Sequence, residues 1–285
     1  MTLCQMKFII ASLRYLEVVG SSPTLGIRGF VMDWIVAIVL GVLQGIAEWL
    51  PISSQGQVMA FSMALFNTPA TEALKYAVWL HMGTLIAATI YFRKTIIELL
   101  QLKDKKLLNW LIIATLSTGI TAAPLYLFLK HTVSVAQASF VLLLIGILLL
   151  ITGILQKKVK ESTHNKKTNS QNAIITGLAQ GLSVLPGISR SGTTVAALLL
   201  QGFSAEKSFV LSFLMSIPAV LAAELIFGLD EGFIINPFAI VSMLIALVVG
   251  YVTLEKLIEF AKRASFWKFC IGFGIVLILL FIIGF

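Results

Sequence analysis

The chain has 285 residues, 58% of them hydrophobic and 12% charged, with a mean hydropathy of +0.98. Soluble domains run at roughly 45–50% apolar and about 25% charged, so a water-soluble globular protein is excluded and most of the chain belongs in a bilayer. In a soluble protein the net charge of +8 would point to nucleic acid; in a membrane protein it reflects loop placement, and no nucleic-acid partner is expected.

Residues 1–31 carry Lys7, Arg14 and Arg28 around a short apolar stretch. That stretch is too short for a signal peptide and no cleavage site follows it, so the segment reads as an N-terminal extension or a misplaced start, with Met32 as a second start. Residues 32–285 read as a single membrane domain. It opens with an apolar stretch at about 33–66, broken in the middle by Leu50-Pro51-Ile52-Ser53-Ser54-Gln55-Gly56. Runs long enough to span follow at about 73–92, 107–129 and 136–155. A second broken stretch, at about 173–203, has Leu185-Pro186-Gly187-Ile188-Ser189-Arg190-Ser191-Gly192 at its centre. Three more spans lie at about 205–228, 236–256 and 266–285. Each half of a broken stretch has about 15 residues, too few to cross a bilayer at about 1.5 Å per residue, so each is expected to be a re-entrant helix–loop–helix. The expected fold is all-α and polytopic, with six transmembrane helices and two re-entrant units.

The loops orient this layout. Those after the first, third and fifth spans hold fourteen of the 21 basic residues. The opposite loops carry only Lys130 on one and Asp230 with Glu231 on the other, so the basic side is expected to be cytoplasmic. Cys4 and Cys270 stand far apart without metal-ligand spacing and support neither a disulfide framework nor a zinc site.

The two broken stretches repeat each other at a spacing of 136 residues: Gln44-Gly45 and Gln180-Gly181 are followed at equal distances by Ser53 and Ser189, then by Gly56 and Gly192. The apolar segments after them are expected to keep that offset, giving repeat one at about 33–155 and repeat two at about 173–285. An odd number of spans separates the units, so the repeats should be inverted and the broken segments should meet near the midplane. Half-helix N-termini there expose free N–H groups and a partial positive charge, which favours an anion. Gly56, Gly187 and Gly192 would admit close backbone approach to a ligand.

Arg190 is the one arginine inside an apolar segment away from its flank. A charge at mid-bilayer costs about 2.5–3.5 kcal/mol even on an insertion scale. With Ser189, Ser191, Thr193 and Thr194 it forms a donor-rich phosphate clamp in charge and shape. Glu48, one turn after Gln44, is the matching acid: it can neutralise Arg190, act as an acid or base, or hold a divalent ion that bridges phosphate oxygens. Ser53, Ser54 and Gln57 follow across the loop and can bond the same ligand. His81 reads as a hydrogen-bonded core histidine, His131 and His164 as loop surface residues, and Glu224 as a side chain snorkelling to the interface.

These residues resemble a known family. Gln44-Gly45-Ile46-Ala47-Glu48-Trp49-Leu50-Pro51-Ile52-Ser53-Ser54-Gln55-Gly56 is similar to the first signature of the undecaprenyl-diphosphate phosphatase, or bacitracin-resistance, family, and Pro186-Gly187-Ile188-Ser189-Arg190-Ser191-Gly192-Thr193-Thr194 is similar to its second. The resemblance implies a cell-membrane enzyme that removes the terminal phosphate of a polyprenyl diphosphate and regenerates the monophosphate lipid carrier of envelope glycan assembly. It also implies dependence on a divalent cation, Mg or Ca, and a site open to the outer face. Carried onto this chain, Glu48, Arg190, Ser54 and Ser191 take catalytic roles, with Glu48 the candidate metal ligand. Gln44, Ser53, Gln57, Gly187, Ser189, Gly192, Thr193 and Thr194 take substrate-binding roles.

One departure bears on mechanism: members of the family commonly have a catalytic His after the Ser-Ser-x-Gly, and this chain has Gln57. An amide has no titratable proton to offer. Attack then falls to a serine or a Glu48-activated water, with Gln57 as a positioning hydrogen-bonder, or His81 supplies the base, or this member is slow, altered in substrate or inactive. The alternative function for the same midplane site is a transporter or flippase of an anionic polyprenyl lipid.

Overall fold

The structure, a computed structural model, describes residues 24–66, 68–135, 138–158, 166–263 and 267–283. Cys4, His164 and most of the expected N-terminal extension lie outside them. Among the described residues the chain is helical and contains no strand, as hydrocarbon demands of a backbone that must satisfy its own hydrogen bonds. In chain order the helices are α1 (Thr24–Ala47), α2 (Ser54–Phe66), α3 (Ala70–Tyr91), α4 (Arg93–Leu100), α5 (Lys105–Val135), α6 (Ala138–Lys158), α7 (Ser170–Gly181), α8 (Arg190–Leu200), α9 (Ala205–Glu231), α10 (Pro237–Arg263) and α11 (Trp267–Ile282).

Four of the expected spans, in α3, α5, α9 and α10, are long and apolar enough to cross a membrane; the apolar parts of α6 and α11, Ser139–Leu155 and Trp267–Ile282, are shorter. The half-helices α2, α7 and α8 have 13, 12 and 11 residues. The first half of the first unit differs from expectation. α1 is 24 residues long, because the helix begins upstream of the apolar stretch and runs through the boundary placed at residue 31. Its exposed outer residues, like those of its neighbours, are apolar: Ile38 on α1, Leu116 and Ile120 on α5, and Leu229 on α9 face outward while Gln44, Glu48 and Gln180 are buried. This reversal of the soluble pattern suits a lipid surround.

The two repeats are interlocked. Gly41 and Gly45 set α1 against α10, where an added Cβ would lie 2.5 Å from the Ser242 carbonyl oxygen and 2.8 Å from Val249. Their counterparts 136 residues on, Gly177 and Gly181, set α7 against α5, with an added Cβ 2.2 Å from the Ala114 carbonyl oxygen and 1.8 Å from the Thr121 hydroxyl. Small residues here let membrane helices pack backbone to backbone. Each broken unit thus docks on the opposite repeat.

The receiving surfaces on α5 and α10 match at an offset of 128: Ala114, Ser117 and Thr121 stand where Ser242, Ile245 and Val249 stand. The expected constant offset of 136 therefore ends after α3 and α9. The difference equals the 8 residues of α4, an amphipathic helix between spans that repeat two lacks. Gly146 of α6 and Gly274 of α11, also 128 apart, lie against each other's carbonyl oxygens, and Gly153 meets Trp267 and Cys270. α6 and α11 therefore run antiparallel about a pseudo-two-fold axis, so the repeats are inverted.

The symmetry breaks at one helix pair. α3 closes on α10 through Gly83, whose added Cβ would lie 2.3 Å from the Met243 carbonyl oxygen. The equivalent pair, α9 and α5, has Ala219 in place of Gly83 and stands apart; Ala219, Thr115, Thr118 and Gly119 line a cavity there. An added Cβ on Gly119 would meet nothing within 4 Å. The cavity occupies the space that its symmetry mate fills with packed helices.

Candidate active site

Both breaks end on a proline-containing turn and restart as a helix, so the N-termini of α2 and α8 converge at the floor of this cavity. Ser189 caps α8, its Oγ accepting from the Gly192 N–H at 3.1 Å. Ser53, with φ of 62°, turns its Oγ across the repeat interface to accept from the Gly187 N–H at 2.9 Å. Gly187 has φ of +104° and leaves no room for a Cβ, which would lie 2.7 Å from the Ile145 carbonyl oxygen; its own carbonyl accepts from Thr152 at 3.0 Å. Gly56 and Gly187 thus approach each other's backbone rather than a ligand. First-turn N–H groups of both helices lack intrahelical acceptors and carry the positive ends of the helix dipoles.

Glu48 sits at the centre. Its Oε2 accepts from Ser54 Oγ at 2.6 Å and from Gln44 Nε2 at 2.9 Å, and lies 3.3 Å from His81 Nε2. Its Oε1 accepts from Arg190 Nη2 in an ion pair across the repeats. Arg190 also lies over the Phe213 ring, 5.5 Å from its centroid. Ser191 Oγ donates to the Leu50 carbonyl at 3.2 Å, tying the start of α8 to the first break. One guanidinium nitrogen, Arg190 Nη1, is buried with no protein partner. An unspent donor beside two helix N-termini is the environment a phosphate oxygen requires.

The cavity has a volume of about 610 Å³. Its floor is polar, with Glu48, Ser53, Ser54, Ser189, Arg190 and Ser191. Its walls, from α5 and α9, are largely apolar, including Ala123, Leu127, Val220 and Ile226. At its far end Lys130 pairs with Asp230 at 2.7 Å and Glu231 at 3.1 Å, Lys75 pairs with Glu231 at 3.3 Å, and Tyr126 donates to Asp230 at 2.7 Å. These contacts put the last turns of α5 and α9 and the first turns of α3 at one end of the bundle.

Several residues predicted to bind ligand lie behind the lining. Gln44 is fully buried beneath Glu48 and also reaches Thr84 at 3.4 Å. Gln57 donates to the Ile52 carbonyl at 3.1 Å and does not line the cavity. Thr194 donates to the Arg190 carbonyl at 2.8 Å and pairs with Ser212, Gly192 is used in the cap, and Thr193 continues the α8 backbone ladder. These groups hold the floor rather than form it. His131 is exposed in the last turns of α5 rather than in a loop.

Two residues take places on the cavity: His81, offered by the sequence as an alternative base, and Glu224, which the sequence placed at the interface. His81 lines the cavity; its Nδ1 meets the Ala77 carbonyl at 2.6 Å, which turns Nε2 toward Glu48 and to 3.5 Å from Ser54 Oγ. Glu224 does not snorkel. It is buried, 3% exposed, and faces the cavity, because α9 turns that side inward where α5 stands away. The signal available was the one that singled out Arg190, a charge within an apolar span.

A divalent cation meets a crowded carboxylate in Glu48: Gln44, Ser54 and His81 surround Oε2, and the open side of Oε1 lies beside the Arg190 guanidinium, which repels a cation. Among the described residues no three His, Cys, Asp or Glu side chains converge as a metal cluster.

Inverted broken helices around a buried arginine, a carboxylate and hydroxyls define a polytopic membrane protein with a polar site among apolar helices. Residues 37–277 match the family described as bacitracin resistance protein BacA, and the chain belongs to that family. Over 256 residues it is 40% identical to a protein of Methanococcoides burtonii named undecaprenyl-diphosphatase, covering 85% of this chain and 96% of that one. It is 39% identical over 254 residues to a protein of the same name from Haloarcula marismortui, with 84% and 94% covered. A third so named, from Pyrobaculum islandicum, is 38% identical over 242 residues, with 81% and 90% covered.

Proposed function

We propose that this chain is a polyprenyl-diphosphate phosphatase, hydrolysing the terminal phosphate of undecaprenyl diphosphate or a similar lipid to leave the monophosphate carrier. The observation that carries the reading is the Ser54–Glu48–Arg190 arrangement at two converging helix N-termini, facing a cavity with apolar walls. The relatives named undecaprenyl-diphosphatase support it over a transporter or flippase. At about 610 Å³ the cavity has the volume of a drug-sized ligand site, so it takes the diphosphate and the first part of the tail, and a long polyprenyl chain continues between α5 and α9 into lipid.

Ser54 Oγ attacks the terminal phosphorus in line with the bridging oxygen, passing its proton to Glu48 Oε2, 2.6 Å away. The bond from phosphorus to the bridging oxygen breaks, and its electron pair leaves on the lipid monophosphate. Arg190 and the first-turn N–H groups stabilise the charge on the equatorial oxygens, the main demand in phosphoryl transfer. Water then attacks the phosphoserine: its proton passes to His81 Nε2, and Ser54 Oγ leaves with the proton held by Glu48. A divalent cation, when bound, would supply further charge neutralisation on the diphosphate. Gln57 and Thr194 position the floor.

The basic loops face the cytoplasm in this reading, which places the end carrying Lys130, Asp230 and Glu231 outside and opens the site toward the outer face. Phosphate release from a long-chain polyprenyl diphosphate by the purified protein tests the function. Binding of the lipid with no phosphate released, with and without divalent cation, would overturn it in favour of transport.

A further inference from the structure

The hydrolytic reading leaves one buried charge of the cavity without a task. Glu224 is 3% exposed and lines the same cavity as Glu48 and Arg190. It makes no hydrogen bond or ion pair with any described residue. The contrast with Glu48, whose carboxylate accepts from Gln44, Ser54 and Arg190, is large. A carboxylate taken from water without donors is costly, and such a group persists where a ligand completes it. An acceptor with no donor to satisfy it suits a cation.

Charge balance points the same way. Arg190 is already neutralised by Glu48, and the remaining cavity walls near Glu224 are apolar or hydroxylated. A diphosphate entering this space adds negative charge opposite a free carboxylate, and in a poorly hydrated cavity that repulsion is strong. One divalent cation between them removes it. Cations of the Mg type are commonly held by one or two carboxylates, with substrate phosphate oxygens and water completing the set.

We propose that Glu224, in place of Glu48, is the protein's ligand for a divalent cation that bridges to the substrate diphosphate. This rests on the phosphatase reading, and the experiment separates the two. The probe is a methylene-bridged, non-hydrolysable diphosphonate of a short polyprenol, titrated into the full chain in detergent with Mg²⁺ or with EDTA.

In wild type, Mg²⁺ should tighten probe binding about tenfold or more, a normal size for coupling between two ligands. In Glu224→Gln that gain should fall to less than about twofold, while Mg²⁺-free affinity stays the same or rises because a like charge is gone. A misfolded variant would instead lose the Mg²⁺-free affinity, and Glu224→Asp, which keeps the carboxylate, should then restore part of the coupling. A wild-type coupling factor in Glu224→Gln overturns the proposal, as does a wild type that binds the probe equally with Mg²⁺ and EDTA, or a Glu224→Asp without any coupling. A wild type that binds no probe under either condition overturns the phosphatase reading itself.

Discussion

Arg190→Ala is the change on which the floor of the site depends most. It removes the ion pair with Glu48, the ring contact with Phe213 and the unspent Nη1 donor. Breaking one side of a buried pair costs about 3–5 kcal/mol, since the partner charge is left uncompensated. Glu48 keeps three neighbours on Oε2, which sets the expected loss of stability at the lower end, about 3 kcal/mol. Catalysis loses more: an arginine that stabilises a transferring phosphoryl group is worth about 10³–10⁵ in turnover. Phosphate release from a polyprenyl diphosphate and denaturation in detergent, measured on the same preparations, give both numbers. The double variant Arg190→Ala/Glu48→Gln removes the stranded charge and should be more stable than Arg190→Ala alone, though equally inactive. Turnover within tenfold of wild type in Arg190→Ala would refute the clamp, and strictly additive stability losses in the double variant would refute the coupling of the pair.

Ser54→Ala should lower turnover at least about 100-fold, the scale of losing a positioned reactive group, while binding of the diphosphonate probe changes little; unchanged turnover would move attack to water. Gln57→His should not raise the rate by more than about threefold, because that side chain bonds Ile52 behind the lining and His81 already faces Ser54; a rise of tenfold, measured by phosphate release, would show that an imidazole at position 57 is what this chain lacks. Gly177→Ala should cost several kcal/mol or prevent accumulation in the membrane, since its Cβ would lie 2.2 Å from backbone, whereas Gly119→Ala, facing open cavity, should accumulate normally by immunoblot. Ala219→Phe should fill the gap between α5 and α9 and raise KM for long-chain substrate more than for a short-chain diphosphate.

Much of this arrangement was legible in the sequence because membrane insertion punishes polar groups. Arg190 and Glu48 stood out against apolar surroundings, and the paired breaks announced the repeat through their own residues. The inversion followed from counting spans. What could not be read were properties of pairs. Whether Glu224 snorkels or turns inward depends on the α5–α9 gap, which Ala219 lines where the closed pair has Gly83. His81 looked like a core histidine because nothing local shows that its Nε2 points at Glu48 across 33 residues of chain. Gln57 sat in the motif but not in the lining, since helical phase at a break is set by φ at Ser53. The drop in offset from 136 to 128 was hidden because α4 is short and polar enough to read as loop.

The exchange of partners between repeats also dictates an order of assembly. α7 emerges after α5 and finds its docking surface already in the membrane. α1 emerges first and has to wait for α10, about 200 residues later. The half of the floor that carries Glu48 is therefore the last to be fastened, and the ion pair with Arg190 forms only when nearly the whole chain has been synthesised. Until then Glu48 is held by Gln44, Ser54 and His81 alone, without its cationic partner. A stall or truncation before α10 leaves the first repeat without its seat.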